Sequence, residues 1–208
     1  MTSILIKACL GLAVGATLAS AHIAHAEEPS DAETKPSFLV DGGEGEPIPF
    51  PLHPTSRLVA ADSNEAGLSL FEIEIPADTA GAPPHKHTHE DEFFYVREGS
   101  VTFMVDDERE TISAGGLAML PRGGTHAMWN DSDATAVLLV GTSAGQFDDF
   151  FDAVAMEVMA AGDLSPPEIG EVVGRLGAER GLHIDMSKVP ADVRPLYGLP
   201  PLDTEPAE

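Results

Sequence analysis

Between residues 57 and 142 apolar and polar positions alternate in short runs separated by turn signals. The stretch LSLFEIEIP (68–76) has period two, and so does FFYVREGSVTFMVDD around the turn at Gly99-Ser100. GLAMLPRGGTHAMWN and ATAVLLVGT continue the series, and no helical period interrupts it. Short strands at this spacing predict a mainly β, antiparallel sandwich or barrel rather than βαβ units. After Gly145 the period changes. Phe147, Phe150, Phe151, Val154 and Val158 fall at helical spacing with acids on the opposite face and in the first turn. A second helix is announced by SPPE, with Ser165 as N-cap, Pro166 at the first helical position and Glu168 three residues after the cap. Ile169, Val172, Val173 and Leu176 form its apolar stripe, which ends near Gly181. The phenylalanine stripe is expected to dock the first helix on the barrel.

The flanks have a different composition. In residues 1–26 Lys7 is the only charged side chain, the run ACLGLAVGATLASA is apolar and small, and Ala24-His25-Ala26 offers an A-x-A cleavage site. This is the pattern of a secretory signal peptide, with an apolar core too short to span a bilayer. Cleavage after Ala26 and export to a periplasm or the medium are the expectation. Cys9 is the chain's one cysteine, so residues 27–208 are read as having neither disulfides nor thiolate ligands. Residues 27–56 read as an acidic Pro/Gly-rich arm, 57–142 as the barrel, 143–185 as helices packing on it, and 186–208 as a loosely attached Pro-rich tail. The formal charge of −24 at pH 7 repels phosphate backbones and anionic lipid, which argues against nucleic-acid or membrane partners after signal removal.

The chemistry is concentrated in PPHKHTHEDEFFYVREG (83–99). On a strand His85 and His87 share a face, with Cα atoms roughly 6.5–7 Å apart, and two imidazoles can converge on one ion from there. Glu92 opens the next alternating run and can add a carboxylate; His126, behind the turn in LPRGGTH, can add a third imidazole. Three imidazoles and one carboxylate suit one divalent transition metal ion such as Fe, Mn, Ni, Co or Cu. His89 continues the same face and is the rival ligand, otherwise a rim residue. Glu90 and Asp91 read as solvated turn acids, and His53 and His183 as incidental. Met104, Met119, Met128, Phe94 and Phe103 either line a cavity or fill the core. Asn130 is expected to stabilise its turn.

These residues resemble the two motifs of the cupins. The first, G-x5-H-x-H-x(3,4)-E-x6-G, is met by His85, His87, Glu92 and Gly99, while Gly81 stands two positions too close to His85. The second, G-x5-P-x-G-x2-H-x3-N, is met at every position by Gly115, Pro121, Gly123, His126 and Asn130. The resemblance covers about residues 57–142, and the C-terminal helices look like those of flavonol-dioxygenase-like members. It implies a β-barrel of jelly-roll type, His85, His87, Glu92 and His126 as metal ligands, and a likeness to cupins that pair as homodimers. It also implies a small-molecule substrate and, foremost, a dioxygenase of aromatic or flavonol-like compounds in which Glu92 acts as a catalytic base. Decarboxylase, isomerase or lyase chemistry is the alternative, and a non-catalytic periplasmic metal- or ligand-binding cupin is the third.

Overall fold

The computed structural model describes residues 34–143, 145 and 147–202. The expected signal peptide of residues 1–26 lies outside them. Among the described residues no helix is long and apolar enough to cross a membrane.

Among the described residues twelve strands form two antiparallel sheets, as the alternation predicts. In chain order they are β1 (Glu46–Ile48), β2 (Thr55–Val59), β3 (Ser69–Ile75), β4 (Thr79–Ala80), β5 (His85–His87) and β6 (Glu92–Glu98), then β7 (Ser100–Val105), β8 (Glu108–Ser113), β9 (Leu117–Leu120), β10 (His126–Asn130), β11 (Ala136–Thr142) and β12 (Leu182–Ile184). The first sheet runs β1-β2-β3-β11-β6-β9 and the second β12-β5-β10-β7-β8, with β4 paired to β10. This is the jelly-roll arrangement expected from the sequence. Its core is built by the inward side chains of both sheets, among them Phe71, Ile73, Phe94, Val96, Phe103, Met128, Leu138 and Val140.

The two predicted helices are present as α1 (Phe147–Ala161) and α2 (Pro166–Glu179). Phe147, Phe150, Phe151 and Val154 are buried in the barrel core, so the stripe docks the helix as its spacing predicts. At the start of α2, Ser165 and Glu168 form the reciprocal capping box read from SPPE. Arg57 of β2 fastens α1 to the first sheet. Its guanidinium donates to Asp148 at 2.8 Å and to Asp152 at 2.7 Å, and reaches Glu46 at 3.2 Å.

Two segments depart from expectation. The arm is not only an extended leader: its residues 46–48 pair with β2 and widen the first sheet. The described part of the tail, residues 186–202, is also docked rather than loose. Val189 and Val193 are buried with Met104, Ala127 and Trp129, and the Tyr197 hydroxyl donates to the carbonyls of Ala82 and Met128 at 3.0 and 2.9 Å. The tail thereby covers the outer face of β10, all five residues of which are buried.

Candidate metal centre

The site starts from strand pairing. In β5 the burial pattern is buried, exposed, buried, so His85 and His87 point inward while Lys86 faces solvent. The first residue of β10, His126, pairs directly with His85. Gly123, in the left-handed region at φ 83°, makes the turn before β10 and donates its N–H to the His87 carbonyl at 2.8 Å. The turn of the second motif is thus tied to the strand of the first. On the other flank β12 pairs with β5, Leu182 opposite His87 and Ile184 opposite His85. Glu92 opens β6 in the opposing sheet, between Thr142 and Leu120.

The four predicted residues converge. Ligand atoms of His85, His87, Glu92 and His126 all lie within 4.8 Å of one another, and all four side chains are buried. The Nε2 atoms of His126, His87 and His85 stand 2.9, 3.3 and 3.7 Å from Glu92 Oε2. His85 Nδ1 is 2.7 Å from the Pro83 carbonyl, which leaves its Nε2 as a lone-pair donor toward the group.

Electrostatics follow from burial and crowding. Burial would raise the Glu92 carboxyl, but the three imidazoles, His126 foremost, outweigh it and hold the group well below the usual range. Burial, and then the close approach of the His126 ring, lowers His85. Burial would lower His87 too, yet its contacts with Glu90 and Glu92 win and raise it to about 9.

Whether a metal ion fits can be judged from His87. The ring is 2 % exposed, its Nδ1 stands 3.4 Å from Glu90 Oε2, and among the described residues its Nε2, turned to the group, makes no hydrogen bond of good geometry. A buried polar atom left unmatched costs on the order of 1–3 kcal/mol, so such atoms are rare without a partner. Three imidazoles and one carboxylate are the donor set of a divalent transition metal site, with His87 giving up its proton as an ion binds. The residues fit, and the group could hold such an ion.

Other expectations resolve as follows. His89 is exposed, outside the group and close to Gly181. Asp91 is a surface acid as expected, in a two-point ion pair with Arg122 at 2.9 and 3.0 Å that lowers its carboxyl to about 2. Glu90 is not solvated: it is 1 % exposed, with Oε2 3.4 Å from His87 Nδ1. A Cβ on Gly145 would come within 2.0 Å of Glu90 Oε1, so glycine is needed where the chain enters α1. The i,i+3 spacing from His87 to Glu90 is the signal that could have revealed this pair. Asn130 holds its turn, donating to the carbonyls of Ile75, Pro76 and Ala134 at 2.8–3.0 Å.

A cavity of about 70 Å³ opens beside the group. His85 and Glu92 form part of its wall, with Phe94 and Met128 from the barrel and Phe147, Phe150 and Phe151 from α1. Of the other candidates, Phe103 fills the core, Met104 lies under the tail, and Met119 faces solvent. His53, read as incidental, also lines the cavity.

No curated protein matches the chain. Among solved structures it is similar to a cupin-superfamily sugar phosphate isomerase from Silicibacter pomeroyi, at 21% identity and TM-score 0.45 over 51% of this chain and 75% of that one. It is also similar to a predicted oxalate decarboxylase from Thermotoga maritima, at 19% identity and TM-score 0.46 over 51% and 99%. A polyketide cyclase from Streptomyces resistomycificus aligns at 21% identity and TM-score 0.44 over 52% and 80%. The four convergent residues all fall between Phe71 of β3 and Gly141 of β11, and that span, residues 71–141, matches the Cupin domain (Cupin_2) family.

Proposed function

We propose that the protein is a metal-dependent dioxygenase of small aromatic compounds, with His85, His87, Glu92 and His126 as ligands to one divalent ion. The observation that carries this reading is the cavity wall. It is phenylalanine-rich and meets the ligand group directly, and among the described residues lining it there is no Lys or Arg. A carboxylate or a phosphate entering such a cavity would lose its hydration with only the ion at the ligand group, and no side-chain cation, to replace it. That disfavours oxalate-like and sugar-phosphate substrates and suits a neutral ring. The space of about 70 Å³ is roughly half of the 150 Å³ cavity that encloses a benzene ring, so a single ring is the largest group that can enter from the mouth and a three-ring flavonol does not fit.

A redox-active divalent ion bound there would supply Lewis acidity and a meeting point for dioxygen and substrate. The protein's part is orientation and proton handling. The Pro83 carbonyl and Glu90 fix the rings of His85 and His87. Phe147 packs edge-on against His87 at 4.9 Å and keeps water from that side. The buried, ionised Glu92 carboxylate is the acceptor nearest the group for a substrate hydroxyl proton.

The test is elemental analysis followed by oxygen uptake. About one metal ion per chain is expected, lost in the His87→Ala, His126→Ala double variant. The Fe-, Ni-, Mn-, Co- and Cu-loaded proteins are then offered phenols and catechols, beside oxalate and a sugar phosphate. Oxygen consumption with an aromatic compound supports the reading. Turnover of either acid without oxygen would replace it with decarboxylase or isomerase chemistry.

A further inference from the structure

Among the described residues three polar side chains line the cavity: His85 and Glu92 of the ligand group, and His53. His53 comes from the β1–β2 loop, beside Leu52, which also lines the cavity and is 52 % exposed. The loop therefore forms the mouth. Ring contacts run inward from there, His53 to Phe50 at 5.2 Å, Phe50 to Phe151 at 4.9 Å, Phe151 to Phe147 at 5.0 Å, and Phe147 to His87 at 4.9 Å. The cavity is an apolar corridor with the ligand group at its floor and one imidazole at its mouth.

Thr55 stands where it can set the tautomer of that imidazole. The buried Thr55 hydroxyl lies 3.2 Å from the His53 carbonyl and 3.2 Å from His53 Nδ1. With the hydroxyl proton given to the carbonyl, its oxygen accepts from Nδ1–H, and Nε2 keeps the lone pair. Burial lowers His53 to about 4, so the ring is neutral at pH 7. A neutral acceptor at the mouth of an apolar corridor discriminates ligands by whether they bring a donor.

We propose that His53 determines specificity: its Nε2 accepts a hydrogen bond from a hydroxyl on the end of a single-ring substrate remote from Glu92. This rests on the aromatic-substrate reading above and names its class, a ring carrying two separated hydroxyls. The experiment uses the redox-silent Zn²⁺-loaded protein and two probes, phenol and 1,4-dihydroxybenzene, with affinities from titration calorimetry. Wild type should bind the dihydroxy compound roughly three- to tenfold more tightly than phenol, the range of one neutral hydrogen bond. In His53→Phe the ratio should fall to about one, with zinc content and phenol affinity kept. Thr55→Val keeps the ring and frees its tautomer, and its ratio should fall as well, which gives a second reading should the first variant not fold. An undiminished ratio in a folded variant overturns the role of His53, as does equal binding of both probes by wild type. A wild type that binds neither probe overturns the aromatic reading itself, and this proposal with it.

Discussion

Glu90 shows how one side chain can be misread and still govern the site. It sits in HTHEDE, where three acids follow alternating histidines, and such a charge run is ordinarily a solvated face. The short turn between β5 and β6 instead curls back, and position i+3 from His87 falls under the entry to α1, where Gly145 leaves room for the carboxylate. Its neighbour Asp91 points outward to Arg122, so local composition could not separate the two. The four residues of the candidate metal group were legible because strand alternation and motif spacing both specify them; Glu90 was not, because its burial depends on a helix more than fifty positions later in the chain. A carboxylate on Nδ1 orients the ring and strengthens Nε2 as a ligand, an effect typically worth 10–100-fold in metal affinity. Glu90→Leu should therefore weaken zinc binding by about that factor, with Glu90→Gln in between, as read by competition against a chromogenic chelator. Equal affinity in all three proteins would reduce Glu90 to a packing residue.

At the scale of elements, α1 contributes most to the site without supplying a ligand. Phe147 touches His87, and Phe150 and Phe151 form the cavity wall. The helix was legible from its 3.6-residue period. What anchors its first turn was not, because Arg57 and the acids Asp148 and Asp152 are some ninety positions apart in sequence. Arg57 has a side-chain exposure of 9 %, its guanidinium lies 5.9 Å from the Phe71 ring, and Asp148 also accepts the Ala61 N–H at 2.9 Å. The network is half-desolvated, between an exposed pair worth under about 1 kcal/mol and a buried one whose disruption costs about 3–5 kcal/mol. Arg57→Ala should thus lower unfolding free energy by about 2 kcal/mol, seen as a reduced denaturant midpoint. If the midpoint stays within error, the phenylalanine packing alone holds α1. Strand β12 and the docked tail were missed for a related reason: three residues of LHI carry no period, and a Pro-rich segment reads as loose unless its Tyr197 is known to reach two carbonyls of the barrel.

For the whole molecule the dominant sequence fact is a formal charge of −24, and it bears on stability through pH rather than on the fold. Acidification protonates carboxylates and relieves their mutual repulsion, but it also forces a proton onto groups that the folded state keeps neutral. His53 is such a group, held at about 4 by burial against 6.5 in an unfolded chain. Above pH 6.5 neither state binds the proton, and the folded state bears no penalty. Between 6.5 and 4 the unfolded chain binds it and the folded chain does not, so stability falls as pH falls. Among the described residues lining the cavity His85 and Glu92 are the other titratable groups, and both are common to wild type and His53→Phe. Subtracting the pH profile of His53→Phe from that of wild type therefore cancels the acidic background. The difference should be flat from pH 8 to 6.5 and then move against wild type by about 1–2 kcal/mol on reaching pH 4, allowing for the partial exposure of the ring. Urea midpoints across that range are the measurement. A flat difference throughout would mean that the ring takes up its proton as readily as in the unfolded chain, and that the mouth of the cavity is wetter than its phenylalanine lining implies.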